Sequence, residues 1–257
     1  MTEYILPRGN AQDVEHARLR LLEEKLDPLT SQQLDAIGVG EGWRCLDVGA
    51  GGGSVTRMLA ERVGNSGSVL ATDLDPRMIE PLAGERVEVR RHDLMAEPLP
   101  QGEFDLVHAR MLLIHLPTRL DALQRLAGAL RHGGWLAVAD VDFTSVDLAP
   151  TSATWERTWA AFWDATVSVG LDLHYGARLC MDLRALGLTG VEAEYACTRG
   201  CGGSLSAIVI SLTLEGVRER MLAFGASDED IDEARRLLED PESMFRGPTI
   251  CAARAQK

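Results

Sequence analysis

Apolar runs of five to seven residues alternate with amphipathic stretches along the first half of the chain. The apolar runs predict five strands, at residues 43–48, 68–72, 87–91, 104–108 and 135–141. Apolar positions repeat at helical spacing between them, predicting helices at 54–63, 76–83 and 117–131. Strands that alternate with helices predict βαβ units and a mostly parallel sheet covered on both faces.

The pattern differs at the two ends of the chain. Residues 11–37 predict a long helix before the first strand. After Pro150 the pattern predicts helices at 151–168, 176–187, 205–224 and 228–239, with strands at 190–198 and 249–253. No linker or repeat interrupts it, so we expect an N-terminal helical cover (1–39) and one α/β domain (40–257). Helical insertions are expected at about 150–188 and 203–240.

The most informative segment follows the first predicted strand. Asp47 lies at the strand's end, and glycines follow at positions 49, 51, 52 and 53 before an amphipathic stretch. Glycines allow positive φ and let a ligand approach the backbone without meeting a Cβ. The strand, glycine loop and helix start predict a site for a nucleotide-like ligand.

Two other interpretations of this loop deserve comparison. A dinucleotide fingerprint has the spacing G-x-G-x-x-G. Counted from Gly49, its third glycine would fall on Ser54, so the fit is imperfect. A tight turn without a ligand rarely needs four glycines.

Five segments in order resemble the motifs of class I S-adenosylmethionine-dependent methyltransferases. They are the glycine loop after Asp47, the acidic strand end Ala71–Asp75, His92–Leu94, Phe104–Arg110 with the loop to Pro117, and Leu130–Leu136. The resemblance implies a doubly wound, Rossmann-like sheet of seven strands, mostly parallel, with the last strand antiparallel. It covers residues 40–145 best and the C-terminal part least.

The resemblance also implies a cofactor, S-adenosyl-L-methionine, and the residues that bind it. Asp47 would hold the ammonium of the amino-acid tail, directly or through water, in a charge-assisted contact. The backbone of Gly49, Gly51 and Arg110 would lie against the tail and sugar. Further predicted contacts are Asp73 to the ribose hydroxyls, Leu74 beside it, Asp93 to adenine N6, and Leu94 against the ring.

Methyl transfer needs alignment of the acceptor more than a protein nucleophile, so the acceptor side is weakly marked. His115, in the loop after the fourth strand, is the predicted catalytic base because a histidine with an ordinary pKa suits proton removal near neutral pH. Packing of the following helix is the alternative role. Asp140 and Asp142 could orient an acceptor, and His174 is a weaker candidate.

Four large aromatic residues recur at helical spacing after Pro150: Trp155, Trp159, Phe162 and Trp163. Their common face predicts packing onto the sheet, or a cover over a flat apolar acceptor. Tyr4, Arg18 and Arg20 could fold over the cofactor, with the arginines meeting its carboxylate.

Composition narrows the functional classes. The net charge of −13 argues against general nucleic-acid binding, which depends on cationic residues. Five scattered cysteines suit a reduced cytosol and predict no metal site, and no apolar run reaches membrane-spanning length. We therefore expect a cytoplasmic methyltransferase with a small-molecule acceptor, in specialised metabolism, which could form homo-oligomers.

Two alternative functions stay open on sequence grounds. The chain could bind S-adenosylmethionine without transferring its methyl group, as a sensor, partner subunit or cyclase, because Asp47 and Asp73 indicate binding capacity alone. An NAD(P)-dependent oxidoreductase would use the same strand and ribose acid. The broken fingerprint at Ser54 disfavours it.

Overall fold

The structure, a computed structural model, describes residues 12–257, and in this range one sheet contains eight strands. They are β1 (Arg44–Val48), β2 (Ser68–Asp73), β3 (Val87–Arg91), β4 (Phe104–Arg110), β5 (Leu130–Asp142), β6 (Asp147–Ala149), β7 (Thr189–Cys201) and β8 (Met244–Gln256). Their order is β3-β2-β1-β4-β5-β8-β6, and β7 also pairs with β8. The first five strands are parallel, whereas β8 is antiparallel to β5.

Eight helices connect or cover these strands in the described range. They are α1 (Gln12–Ile37), α2 (Ser54–Arg62), α3 (Arg119–Ala129), α4 (Ala153–Val167), α5 (Tyr175–Ala185), α6 (Leu205–Gly216), α7 (Arg218–Ala223) and α8 (Asp228–Glu239). The end of α1 packs with α2 on one face of the sheet, and α3 and α5 pack on the other. Helices α4, α6, α7 and α8 form a third apolar cluster with the middle of α1.

The predicted doubly wound α/β fold is confirmed, with one more strand than expected. The extra strand, β6, has three residues and pairs with the beginning of β8. It lies on the same side of β8 as β5, which pairs with the rest of that strand. The predicted antiparallel last strand is β8.

Three helix predictions need correction. Residues 76–83 form two 3₁₀ turns instead of a helix. The predicted helix 205–224 is divided between α6 and α7, and α3 ends at Ala129 instead of continuing to 131. The stretch His132–Gly134 therefore belongs to β5.

The aromatic face of α4 is divided between core and surface. Trp155 and Phe162 are buried, whereas Trp159 and Trp163 are partly buried at the margin of the same cluster. Phe143, after β5, lies within 6.2 Å of the ring centres of both Trp159 and Phe162. The face both packs onto the domain and borders open space.

Candidate functional site

The glycine loop is fixed to the end of β2 through backbone hydrogen bonds. The amides of Gly49 and Ala50 donate to Thr72 O at 2.8 and 3.0 Å. Gly51 has φ of +57°, and a Cβ on it would meet no atom within 4 Å. The loop therefore leaves open space above Gly51, as a backbone that a ligand approaches requires.

Asp73 lies beside this open space at the end of β2. Its carboxylate accepts hydrogen bonds from the amides of Gly51 at 2.9 Å and Asp75 at 3.0 Å. Burial raises the pKa of Asp73 above its ordinary value, although these two bonds partly oppose the shift. The next side chain, Leu74, is 45% exposed and gives this edge an apolar surface.

Asp47 is buried beneath the loop. Its Oδ2 accepts from Thr56 Oγ1 at 2.7 Å, and its Oδ1 lies 2.8 Å from His108 Nδ1. The carboxylate thus joins β1, α2 and β4, and no surface of Asp47 faces the open space directly. Its contact with a ligand ammonium stays a prediction. Sequence reasoning missed His108, although it is directly opposite Asp47 in the β1–β4 register.

The segment after β3 differs from expectation in its side chains. Asp93 Oδ1 accepts from the amides of Met95 at 2.9 Å and Ala96 at 3.2 Å, so it caps a turn. Leu94 is only 6% exposed and belongs to the core with α3. The structure therefore offers Leu74, and not Leu94, as the apolar side chain at this edge. The adenine contact of Asp93 stays a prediction.

Helix α1 is joined to the glycine loop by polar side chains that sequence reasoning did not identify. Glu23 Oε1 accepts from the amide of Ser54 at 3.1 Å, and a Cβ on Gly52 would lie 2.5 Å from that oxygen. Gly52 therefore allows the close approach of α1. Ser54 Oγ also donates to Asp27 at 2.8 Å.

Arg110 completes this connection from the end of β4. Its guanidinium donates to Asp27 at 3.0 Å, to Thr30 at 2.9 Å and to Ser54 Oγ at 3.0 Å. The side chain thus ties α1 to the start of α2. The predicted role concerned the backbone of Arg110, and nothing in these bonds tests it.

The predicted N-terminal arginines occupy different environments. Arg18 is buried and donates two hydrogen bonds to Glu15, both at 2.8 Å. Arg20 is exposed. Tyr4 lies outside the described residues. The contact of these arginines with a ligand carboxylate stays a prediction.

His115 lies in a 3₁₀ turn after β4. Burial lowers its pKa to about 4, and the positive charges of Arg18 and Arg119 lower it further. The expectation of an ordinary pKa is therefore wrong. The imidazole is neutral at neutral pH but weakly basic, so it is poorly matched to proton removal.

Asp140 holds this turn from β5. Its Oδ2 accepts from the amide of Ile114 at 3.0 Å, and its Oδ1 from the amide of Val141 at 3.0 Å. Burial raises the pKa of Asp140 to about 7, although the backbone donors oppose the shift. Asp140 therefore positions the turn that carries His115, in place of the predicted role of orienting an acceptor.

Asp142 forms a separate polar group beyond the end of β5. Its Oδ1 accepts from the amide of Thr144 at 2.9 Å and lies 3.3 Å from His174 Nδ1. Thr144 Oγ1 lies 2.8 Å from the same ring nitrogen. The structure thus brings together Asp142 and His174, two of the predicted acceptor-side residues.

A sheet of this order, with a glycine loop after its first strand and an acid ending its second, defines a nucleotide-binding α/β domain. Residues 46–138 match the family described as a methyltransferase domain. The domain that contains this match is that of a class I S-adenosylmethionine-dependent methyltransferase, a family whose cofactor is S-adenosylmethionine.

Relatives and one solved structure define this similarity. The chain is 30% identical over 185 residues to methyltransferase str2 from Strobilurus tenacellus, covering 69% of this chain and 64% of that protein. It is 38% identical over 125 residues to aklanonic acid methyltransferase DauC from a Streptomyces species (strain C5), covering 46% and 57%. Both matches span less than two thirds of the relative's length.

The fold resembles that of phosphoethanolamine N-methyltransferase 2 from Haemonchus contortus in complex with S-adenosyl-L-methionine. The TM-score is 0.54 at 17% identity, over 99% of this chain and 54% of that one. At this identity the likeness concerns the fold. Among the helices within residues 12–257, none has the length and apolar character needed to cross a lipid bilayer.

Proposed function

We propose that this protein transfers the methyl group of S-adenosylmethionine to a small organic acceptor in specialised metabolism. The observation that carries the proposal is the open space above Gly51, bordered by the Asp73 carboxylate and the exposed Leu74. A nucleoside fits these three features, because its sugar needs close backbone approach and paired acceptors while its base needs an apolar surface. The methyltransferase names of str2 and DauC support the reaction type.

The proposed contacts follow from which side chains can still accept hydrogen bonds from a ligand. Each Asp73 oxygen accepts one backbone amide, which leaves lone pairs for two ribose hydroxyls. Asp47 is buried and both its oxygens accept bonds, so we propose that it reaches the tail ammonium through water. Gly49, Gly51 and the backbone near Arg110 would line the tail, and Asp93 would accept from adenine N6.

Helix α1 would exclude water from the reacting centre. Hydrogen bonds of Glu23 and Asp27 hold this helix over the glycine loop, and Arg110, at the end of β4, donates a further hydrogen bond to Asp27. When bound, S-adenosylmethionine supplies a methyl group activated by its sulfonium, so the protein has to align the acceptor and keep solvent out. We accordingly propose that residues 1–39 cover a methyltransferase domain formed by residues 40–257. We also propose that the protein acts in the cytoplasm.

Calorimetric titration and product analysis test this function. Purified protein should release heat with S-adenosylmethionine and S-adenosylhomocysteine and none with NAD or NADP. It should also form S-adenosylhomocysteine when supplied with acceptors. If neither sulfur nucleoside produces heat, the cofactor proposal fails. If both bind but no acceptor yields product, the chain is a binding protein instead of a transferase.

A further inference from the structure

A hydrogen-bonded group of three side chains lies where β5 ends. Thr144 Oγ1 donates to Asp142 Oδ1 and lies 2.8 Å from His174 Nδ1, which is itself 3.3 Å from Asp142 Oδ1. The backbone amide of His174 donates to Asp172 Oδ1 at 3.1 Å, and Asp172 forms an ion pair with Arg178. Both the ring and the main chain of His174 are therefore held in place.

This arrangement selects one tautomer of His174. A threonine hydroxyl has one hydrogen, and Thr144 uses it on Asp142. Toward His174 the same oxygen can then only accept, so Nδ1 must carry the hydrogen. In the neutral ring, Nε2 consequently keeps a lone pair. The side chain of His174 is 52% exposed, so a bound molecule can reach it.

An aromatic groove adjoins this histidine. It has a volume of about 500 Å³ and is lined by Trp155, Trp159 and Trp163 of α4 together with polar residues. Trp163, which lines the groove, also contacts the hydrogen-bonded group, because its ring centre lies 4.9 Å from that of His174. Trp159 stacks on the buried Trp155 at 5.3 Å, so the partly buried Trp159 and Trp163 supply the aromatic surface that borders the groove.

The hydrogen-bonded group lies at the sheet edge that carries the proposed cofactor site, because β5, which Asp142 ends, runs parallel to β4 and β1. Trp159 and Trp163 pack in the same apolar cluster as Leu22 and Leu29 of α1, the helix that covers the glycine loop. Met111, directly after β4, belongs to this cluster too. The groove tryptophans are thus connected to the helix cover and to the end of β4 through one apolar cluster.

On the basis of the proposed function, we infer that His174 is the general base for a flat hydroxyarene acceptor that binds in this tryptophan-lined groove. Indole faces stack well on planar aromatic molecules, and the neighbouring imidazole supplies the proton acceptor that a hydroxyl group needs. Asp142 and Thr144 are positioning residues, because they hold the ring and its tautomer. Burial lowers the pKa of His115 to about 4, which makes His115 a poor base near neutral pH.

The step balances with the groups that the proposed reaction supplies. The acceptor O–H bond breaks and its proton goes to His174 Nε2, while the oxygen forms a bond to the methyl carbon. The carbon–sulfur bond breaks with both electrons going to sulfur. The products are a methyl ether, neutral S-adenosylhomocysteine and a protonated imidazole next to Asp142, whose negative charge stabilises it.

Two acceptors of similar shape but different ionisation test this inference. At about pH 8, 2-naphthol is un-ionised, as simple phenols are, whereas 1-nitro-2-naphthol is already an anion. We measure S-adenosylhomocysteine formation with saturating S-adenosylmethionine for the native protein and for H174Q. The matched control is H132Q, which changes an exposed histidine at the opposite end of β5.

We expect H174Q to lower kcat for 2-naphthol by about 10²- to 10⁴-fold with little change in KM. Its kcat for 1-nitro-2-naphthol should change by less than about threefold, since no proton has to be removed. H132Q should resemble the native protein with both. D142N should lower kcat for 2-naphthol less than H174Q does.

Three results would overturn the inference. Equal losses with both naphthols would make His174 a structural or binding residue, and no loss would exclude it as the base. No product from 2-naphthol with native protein, while calorimetry shows cofactor binding, would refute the acceptor class and leave the cofactor site standing. Absence of cofactor heat would instead refute the proposed function itself.

Discussion

Asp73 Oδ2 accepts the backbone amide of Gly51 at 2.9 Å, so the acid that ends β2 also holds the glycine loop that follows β1. Parallel neighbours in the sheet bring these two strand ends to one edge. The carboxylate is largely buried, and burial raises its pKa. Burial deprives the carboxylate of hydrogen bonds from water, and the hydroxyl groups of a bound ribose would replace them.

D73A should weaken cofactor binding strongly. It removes two proposed hydrogen bonds from a charged acceptor, worth about 1.5 to 3 kcal/mol each, so the Kd for S-adenosylhomocysteine should rise by on the order of 100-fold or more. Calorimetry measures the change, with D75A as the control because the neighbouring Asp75 is an exposed turn cap. Equal Kd values for D73A and native protein would refute the ribose assignment.

G51A tests whether the cofactor occupies the open space above Gly51. The added methyl group meets no protein atom, so the only folding cost is that of a positive φ, about 1 to 2 kcal/mol. Cofactor affinity should nevertheless fall by at least about tenfold, because the methyl group occupies the proposed site.

G102A supplies the comparison for this substitution. Gly102 also has a positive φ and open space around it, but it lies in the turn before β4. It should lose similar stability in urea unfolding and keep full affinity in calorimetry. If both variants bind equally well, the open space at Gly51 is not the cofactor site.

The sequence predicted the parallel half of the sheet because each strand there is a local apolar run with its own turn residues. Local patterns failed where a single residue or a distant segment decides the structure. Pro81 lacks an amide hydrogen and opposes a continuous helix, so residues 76–83 form 3₁₀ turns. The segment around Gly133 joins β5 because its amide donates to Lys257 O, at the other end of the chain.

Some residues of the candidate site could likewise be predicted from local sequence, and others could not. Asp47, Gly51 and Asp73 could be predicted because a strand, a loop and an acid follow one another closely in sequence. Glu23 and Asp27 could not, since an acidic residue on a helix gives no indication of which loop it will meet 31 or 27 positions later. The low pKa of His115 likewise depends on burial and on distant arginines, which no local pattern shows.

D47A should destabilise the fold as well as alter binding. It leaves Thr56 and His108 without their buried acceptor, and breaking a buried polar pair costs about 3 to 5 kcal/mol. Urea unfolding measures this loss. D47N keeps an acceptor oxygen and should lose less. If D47A unfolds like the native protein, Asp47 serves the ligand and not the domain.

D140N should change how stability depends on pH. Burial raises the folded-state pKa of Asp140 from 3.8 to about 7. Between those values the folded state keeps a proton that the unfolded state releases, so the free energy of unfolding should fall as pH rises through this range. Above about pH 7 the contribution is lost in full.

The difference between two unfolding series isolates this effect. Native protein and D140N are unfolded in urea at several pH values, with D121N as the control because Asp121 is exposed on α3. Native stability minus D140N stability should decline from about pH 4 to about pH 7 and then level off. The control difference should stay flat. Parallel curves for native protein and D140N would mean that Asp140 is ionised throughout, and that the turn carrying His115 is held by a permanent charge.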